Sequence, residues 1–394
     1  MKICAVICEY DPFHSGHKHQ IDKLKNEGYA VVAIMSGSFT QRGTAATISK
    51  YDRAESAVKC GADLVLELPF PYCASGASVF AAGGVHIASS LGVVDFLAFG
   101  SEQGDSEMIK TVAENMLSEE FYSALKSEKA DFGSYSQRCI STYEKLYGKS
   151  PVLEGSNDLL ALEYVKAIMK TNSEIKPLAV KREGQAYGKT SGEGFLSASS
   201  VRKMIYSGDK EGIRSAVPAP SAEAVIAAMD CGGLAMTEKL FLPYAAHFRL
   251  SYASLPSETA EMTDELFGRL IASAWSARSF DELISGAQTK MYSESRIRRA
   301  MLFSLLGVKA SDITKPAFSV LLGAGKTGRE ILAKIKKTSD FPIITKPADY
   351  TLFGEGARRG FEMLMRAESL WTLALSRPDE AGALMRKIPY IAGE

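Results

Sequence analysis

Short apolar runs alternate with segments of helical length through the first hundred residues of the chain. The runs at residues 3–8, 30–35, 63–68 and 93–99 each have the length of a β-strand and, apart from single acids, are apolar on both faces. Strands that are buried on both faces and separated by helices are typical of a parallel sheet that helices cover. This alternation predicts an α/β fold built on a Rossmann-like parallel sheet.

The remainder of the chain divides at a proline-rich stretch. Helical spacing at residues 157–170 and a fifth apolar run at residues 175–181 extend the α/β pattern, which ends near residue 205. Beyond Val217-Pro218-Ala219-Pro220 the apolar residues follow mainly helical spacing. A chain of 394 residues has room for two or three domains. We therefore expect a catalytic domain at residues 1–205 and a mainly helical C-terminal region at residues 206–394.

Composition argues against several classes of protein. The chain contains no run of about 20 apolar residues that could cross a membrane, and its N-terminal run reaches Glu9 before a signal-peptide core could form. The six cysteines include no CxxC pair, so neither disulfides nor a structural zinc site is expected. The sequence predicts a cytoplasmic protein without membrane association, and it leaves the oligomeric state open.

Charge is distributed unevenly, although the formal net charge of the chain is zero. Residues 1–100 contain 8 Lys and Arg against 9 Asp and Glu, whereas residues 290–394 contain 18 Lys and Arg against 11 Asp and Glu. The resulting local net charge of +7 near the C-terminus favours binding of a polyanion by that region.

The motif with the clearest chemistry is His14-Ser15-Gly16-His17. Its two histidines lie three residues apart at the expected start of a helix, so their rings can share one side with the free backbone N–H groups of the helix. Such donors can bind the phosphates of ATP and stabilise the charge that grows when the α-phosphorus is attacked. An HxGH sequence at an arbitrary position would indicate only a surface turn, but this one lies between a strand and a helix. We therefore expect His14 and His17 to be catalytic.

The run from Glu9 to His17 resembles the HxGH nucleotidyltransferases. Further segments are similar to the tRNA(Met) cytidine acetate ligase family and occur in one order along most of the chain. They lie at residues 36–43, 61–69, 99–102, 155–158, 180–183, 197–202 and 295–299.

The resemblance implies a two-step reaction that uses ATP. Acetate attacks the α-phosphorus of ATP and gives acetyl-adenylate and pyrophosphate. The acetyl group then passes to the exocyclic amine of the wobble cytidine in elongator tRNA(Met), which leaves N4-acetylcytidine and AMP. Mg²⁺ is expected to accompany ATP, without a dedicated protein site.

The family positions also imply which residues bind the nucleotide and acetate. The nucleotide site would comprise Ile7, Cys8, Glu9, Tyr10, Asp11, Pro12, Phe13, His14, Ser15, Gly16, His17, Lys18, His19, Gln20, Gly100, Asn157 and Arg182. Residues 197–202 resemble the second signature of adenylyltransferases, so Ser199, Ser200 and Arg202 are expected on the β- and γ-phosphates. Ser36, Gln41 and Arg42 end or follow the second strand and are expected to reach the acetate carboxylate.

Basic residues of the C-terminal region are expected to contact the tRNA backbone. They are Arg296, Arg298, Arg299, Lys326, Lys336 and Lys337. On a helix Arg296 and Arg299 share a face that Arg298 does not, so we expect at least one of the three arginines to be structural.

Two positions depart from the family pattern, which has Asn at both of them. Asp11 precedes Pro-Phe-His and adds negative charge beside a triphosphate, although its carboxylate could also help to hold magnesium. Ser38 lies in the segment that follows the second strand. The effect of both residues is left open.

Two other functions remain as alternatives. One is a small-molecule adenylyltransferase that makes a dinucleotide-type cofactor, and the other is an RNA-binding protein with a relic nucleotide site. The long basic C-terminal region favours a large substrate over the first, and the intact His14 and His17 oppose the second. The P-loop-like run Gly323-Ala324-Gly325-Lys326-Thr327 is not expected to bind ATP, because Val320 stands where the first glycine is required.

Overall fold

The five predicted strands lie side by side in one sheet. The structure, a computed structural model, describes residues 1–127, 135–182, 195–251 and 258–393. The strands are β1 (Lys2–Cys8), β2 (Tyr29–Ser36), β3 (Leu64–Leu68), β4 (Phe96–Ser101) and β5 (Lys176–Lys181). They are parallel and stand in the order β5-β4-β1-β2-β3. The predicted α/β fold class is confirmed.

This order places a cleft at the carboxyl edge of the sheet. β1 is flanked by β2 on one side and by β4 on the other, so the chain changes direction across the sheet at β1. Ligands of open parallel sheets bind at such a point, outside the carboxyl ends of the strands. The segments that follow β1, β2 and β4 therefore meet at one edge.

Helices cover the sheet and make up most of the C-terminal region. The described residues contain α1 (Ser15–Asn26), α2 (Lys50–Lys59), α3 (Ala77–Ser90), α4 (Ser106–Met116), α5 (Glu119–Ser127), α6 (Tyr135–Tyr147), α7 (Ser156–Lys170), α8 (Ala198–Ser207), α9 (Lys210–Ala216), α10 (Ala219–Cys231), α11 (Phe241–Leu250), α12 (Asp264–Ser276), α13 (Phe280–Ala287), α14 (Glu294–Leu306), α15 (Lys326–Thr338) and α16 (Glu355–Ala374). Among these helices, none combines the length and the apolar character needed to span a bilayer.

The C-terminal region also contributes strands, which the sequence analysis did not predict. They are β6 (Ser319–Ala324), β7 (Ile343–Ile344) and β8 (Tyr390–Ile391). β6 runs antiparallel to β3, and both β7 and β8 pair with β6. The sheet thus continues across the boundary expected near residue 205, and that boundary stays a prediction.

The P-loop-like run is the turn between β6 and α15, at the amino edge of the sheet. The Gly325 N–H donates to the Asp63 carbonyl at 2.8 Å. A Cβ at Gly328 would lie 1.9 Å from the same carbonyl oxygen, so protein backbone occupies the space beside this helix start. The turn lies at the edge opposite His14, in agreement with its rejection as an ATP site.

Candidate active site

The turn between β1 and α1 brings the two predicted catalytic histidines together. His14 is the N-cap of α1, and its Nδ1 accepts a hydrogen bond from the Gly16 N–H at 3.1 Å. His17 Nδ1 accepts from the His14 N–H at 3.2 Å, which completes a capping box. The two rings stack with their centroids 3.7 Å apart. They therefore share one side of the helix start, as their spacing predicts.

These hydrogen bonds define what the two rings can donate. Because Nδ1 accepts in both, the neutral form of each ring carries its proton on Nε2. Burial, with the charges of Arg182 and Arg202, lowers the pKa of His14 to about 4. Burial and the neighbouring His14 also hold the pKa of His17 well below its ordinary value. Near pH 7 both rings are neutral, and each has one Nε2–H donor for an anion at the N-terminus of α1.

The other residues of the predicted nucleotide segment differ in burial. The buried members are Ile7, Cys8, Tyr10, Asp11, Pro12, Phe13 and His14, and the partly exposed members are Glu9, Ser15, Gly16, His17, Lys18, His19 and Gln20. The Tyr10 ring centroid lies 4.8 Å from those of Phe13 and His17, so this aromatic packing supports His17. A Cβ at Gly16 would lie 3.0 Å from the His14 ring. A larger residue at position 16 would therefore displace that ring.

Three predicted nucleotide residues meet at the ends of β4 and β5. Arg182 Nη1 donates to Asn157 Oδ1 at 3.2 Å, and a Cβ at Gly100 would lie 3.4 Å from the Arg182 Cγ. Glu102, whose positioning role the sequence analysis missed, accepts from the side chain and the N–H of Asn157 at 2.6 and 3.1 Å. Arg182 is exposed and close enough to His14 to lower its pKa. Glu183, the last residue of the quoted segment, lies outside the described residues.

The predicted second signature forms the start of α8. Ser197 is the N-cap, and its Oγ accepts from the Ser200 N–H at 3.2 Å. Arg202 Nη2 donates to Ser199 Oγ at 3.2 Å, and Arg202 Nη1 donates to the Asp11 carbonyl at 2.6 Å. Arg202 therefore joins the start of α8 to the turn that carries His14.

The Asp11 carboxylate is buried and has a partner on each side. Its Oδ1 accepts from the Thr47 N–H at 2.6 Å, and its Oδ2 lies 3.7 Å from Arg202 Nη1. These contacts offset the charge that Asp11 adds to the site. Across residues 1–127, 135–182, 195–251 and 258–393, no group of three or more His, Cys, Asp or Glu side chains is arranged to hold a metal ion.

The loop at residues 37–49, between β2 and α2, lies beside this turn. The Gln41 N–H donates to Glu9 Oε1 at 2.7 Å. Burial raises the pKa of Glu9, while the Gln41 N–H and the charges of Arg202 and Arg42 oppose the rise. The hydroxyls of Ser36 and Ser38 are buried and have no hydrogen-bond partner in the described part of the chain. Ser36, Gln41 and Arg42 thus lie at the same edge of the sheet as the histidines.

Arg53 is a buried residue of this site that the sequence analysis missed. Its guanidinium donates to the carbonyls of Glu9 at 2.6 Å, Ser36 at 3.1 Å and Ile48 at 3.2 Å, and also to that of Gly37. It therefore holds the ends of β1 and β2 and both ends of the loop. One feature of the sequence could have indicated this role. Arg53 lies on the same face of α2 as the small apolar residues 54 and 57, which pack into the core.

The predicted tRNA contacts lie at two edges of the sheet. Arg299 Nε donates to both carboxylate oxygens of Glu261 at 2.8 Å, and its Nη1 donates to the Gln41 carbonyl at 3.4 Å. Arg299 is therefore structural, as expected of at least one of the three arginines. Arg298 pairs with Glu294 at 2.7 Å, and Arg296 lies over the Tyr292 ring, 5.0 Å from its centroid.

The three lysines lie elsewhere. Lys326, Lys336 and Lys337 are exposed on α15, which begins beside Asp63 at the amino edge. α14, by contrast, contacts the loop at the carboxyl edge through Arg299. The six residues do not form one continuous patch at the carboxyl edge.

Comparison with known proteins identifies the family of this chain. The chain matches the HIGH Nucleotidyl Transferase family over residues 1–383. The tRNA(Met) cytidine acetate ligase of Thermoanaerobacter sp. is 32% identical, with 97% of this chain and 98% of the relative covered. The protein of the same name from Caldanaerobacter subterraneus subsp. tengcongensis is 34% identical, with 95% of this chain and 96% of the relative covered.

Solved structures of a related protein have the same fold. The crystal structure of Thermotoga maritima TmcAL bound with alpha-thio ATP has a TM-score of 0.91 at 26% identity and covers 99% of this chain and 100% of that one. Its apo form has a TM-score of 0.92 at 27% identity, with 99% of both chains covered. The chain therefore belongs to the HIGH nucleotidyl transferase family and, within it, to the tRNA(Met) cytidine acetate ligases.

Proposed function

We propose that this chain activates acetate with ATP and transfers the acetyl group to the wobble cytidine of elongator tRNA(Met). The observation that carries the proposal is the stacked pair of neutral histidines, His14 and His17, at the N-terminus of α1. The names of the relatives support tRNA(Met) as the acceptor, and the related structure bound with alpha-thio ATP supports ATP as the activating substrate. Both substrates occur in the cytoplasm, where we propose that the protein works.

In the first step an acetate oxygen bonds to the α-phosphorus, and the bond from that phosphorus to the pyrophosphate oxygen breaks. Negative charge grows on the α-phosphate and on the leaving pyrophosphate. The Nε2–H groups of His14 and His17 and the guanidinium of Arg182 donate to these oxygens. No proton has to move, because acetate is already a carboxylate near pH 7.

The other predicted site residues have separate tasks in this proposal. Gly100 and Asn157 bind the nucleoside, and Ser199, Ser200 and Arg202 bind the outer phosphates. Ser36, Gln41 and Arg42 bind the acetate carboxylate, and the Ser36 hydroxyl, which has no partner among the described residues, is a suitable donor. Mg²⁺ would enter with the triphosphate and offset its charge, and we assign it no protein ligands.

In the second step the cytidine N4 attacks the acetyl carbon. The carbon–oxygen bond to AMP breaks, AMP leaves with the electron pair of that bond, and N4 releases one proton to solvent water. Cytidine must therefore reach the carboxyl edge of the sheet, where the mixed anhydride is formed.

A labelled-acetate assay tests the proposed function. Incubation with labelled acetate, ATP and Mg²⁺ is expected to give labelled acetyl-adenylate and pyrophosphate, and addition of tRNA(Met) is expected to give labelled N4-acetylcytidine and AMP. Label that arrives from acetyl-coenzyme A without cleavage of ATP would contradict the proposal. Transfer of AMP to a small nucleotide would favour the cofactor-forming alternative, and RNA binding without any ATP turnover would favour a relic site.

The RNA surface can be located by the salt dependence of tRNA binding. We expect the double variant R296Q/R298Q to flatten the slope of log affinity against log salt, by about 0.9 for each lost phosphate contact. Arg299 is left intact because its pair with Glu261 is structural. The triple variant K326Q/K336Q/K337Q is the comparison at the opposite edge, and we expect a smaller change from it. An unchanged slope in R296Q/R298Q would move the RNA surface away from α14.

A further inference from the structure

Three buried charged side chains lie together behind the loop at residues 37–49. Lys50 Nζ is 2.8 and 3.0 Å from the carboxylate oxygens of Glu67 and 3.2 Å from Glu368 Oε1. The exposed fractions of the Lys50, Glu67 and Glu368 side chains are 1%, 0% and 1%. We call these three residues the buried charge cluster. It joins α2, β3 and α16, and none of its members belongs to the proposed reaction.

The cluster holds both ends of the loop. Lys50 is the first residue of α2 and follows the loop directly. At the other end, Glu67 Oε1 packs so closely on Gly37 that a Cβ at residue 37 would lie 2.2 Å from it. The Gly37 carbonyl is fixed in turn by Arg53. A displacement of the Glu67 carboxylate would therefore move the start of the loop.

α16 also holds the middle of the loop. Trp371 lies three residues after Glu368, on the same face of α16, and its Nε1–H donates to the Ala46 carbonyl at 2.8 Å. The Gln41 and Thr47 N–H groups on the far side of the loop donate to Glu9 and Asp11. The loop is thus fixed between α16 and the turn that carries His14.

Stability alone does not account for the cluster. Burying ions costs desolvation energy, and apolar residues of similar volume often serve a fold equally well. Glu368 Oε2 also has no hydrogen-bond partner in the described residues, which is unusual for a buried carboxylate. Hydrogen-bonded ion pairs do, however, hold the groups that they contact in one defined position. A packed apolar contact restricts that position less.

We propose that Lys50, Glu67 and Glu368 are positioning residues that set the place of the loop at residues 37–49, and with it the affinity for acetate. The inference rests on the proposed role of Gln41 and Arg42 in binding acetate. It adds that a helix of the C-terminal region, α16, determines the geometry of the acyl site. The hydrogen bonds among Lys50, Glu67 and Glu368 do not involve His14, His17, Asn157 or Arg182, so we expect ATP binding to depend on the cluster less than acetate binding does.

The variant E368Q tests this inference, because it keeps the shape of the side chain and removes one of the two negative charges that face the Lys50 ammonium group. We expect the KM for acetate in ATP–pyrophosphate exchange to rise about tenfold or more, since small misplacements of a binding group are costly. The Kd for ATP is expected to stay within about twofold of the parent value. W371F removes the hydrogen bond to Ala46 together with part of a buried ring, and it is expected to shift the acetate KM in the same direction by a smaller factor.

A matched control separates positioning from general loss of stability. Asp63 pairs with Lys25 at 2.7 Å and accepts from the Val31 N–H at the amino edge of the same sheet. D63N is expected to lower the melting temperature without changing the KM for acetate. The inference is overturned if E368Q and W371F both keep the parent KM, or if E368Q weakens ATP and acetate binding equally. Failure of the proposed function would appear differently, as a parent protein that does not use acetate.

Discussion

Replacing His14 by Asn or His17 by Gln is expected to lower the rate of acetyl-adenylate formation about a hundredfold or more. Removal of one donor to charge that develops in a transition state typically has an effect of this size. Each ring uses Nδ1 to cap α1 and has Nε2–H left for phosphate, so the two functions of each residue can be separated. ATP–pyrophosphate exchange measures the rate.

These two substitutions are chosen because they keep the helix cap. Asn is a favoured N-cap residue and Gln is a usual partner at the third position of a capping box, so α1 is expected to remain folded. K23Q on the same helix is the control and should retain parent activity. Parent rates in both H14N and H17Q would show that the Nε2–H groups do not act on the reaction. A variant that loses activity and also unfolds at the assay temperature would indicate a structural effect.

The β1–α1 turn could be predicted because everything that forms it is local in sequence. Within about 15 residues the sequence determines a strand, a turn and a helix start. The strand is an apolar run, and the turn and the helix start are marked by Pro12, Gly16 and two histidines three residues apart. The five parallel strands were predictable for the same reason. Each is an apolar run of its own, and the alternation with helices favours parallel pairing, because parallel strands need a crossover connection.

Contacts between distant residues could not be predicted in this way. Lys50 and Glu368 are 318 positions apart, and no local pattern indicates that they meet. The pairing of Arg299 with Glu261 was hidden as well, because a count of basic residues does not distinguish an arginine bound to a carboxylate from one that faces solvent. Asp11 appeared as an isolated negative charge, whereas the fold gives its carboxylate the Thr47 N–H and Arg202.

Strand β6 was missed for a related reason. Its residues form a short apolar run inside a region of mainly helical spacing, where a run of six residues does not distinguish a strand from a buried helical segment. Its partner is β3, more than two hundred residues earlier, and the pairing is antiparallel. The consequence is that the catalytic sheet depends on the C-terminal region.

A fragment that ends at residue 205 is therefore expected not to fold cooperatively. Without β6, β3 becomes an unpaired edge, and an exposed apolar edge favours aggregation. Leu64 and Leu66 are buried in a cluster that includes residues of β6 and α15, and each would lose part of the roughly 2 kcal/mol that its full burial contributes. The stability of a whole domain is only about 5–15 kcal/mol, so losses of this kind at several residues are enough to unfold it.

The loop that carries the proposed acetate contacts would lose its support in the same fragment. The Ala45 N–H donates to Thr237 Oγ1 at 3.0 Å, the Ala46 carbonyl accepts from Trp371, and Lys50 pairs with Glu368.

Thermal unfolding followed by circular dichroism should show a sharp transition for the whole chain and none for residues 1–205, and co-expression with residues 206–394 should restore it. A sharp transition in the fragment alone, together with acetyl-adenylate formation, would mean that the catalytic unit is complete by residue 205 and that α16 and β6 only stabilise it. Absence of a sharp transition in the fragment, with recovery on co-expression, would show that the N-terminal sheet and the loop between β2 and α2 need β6 and α16 for their stability.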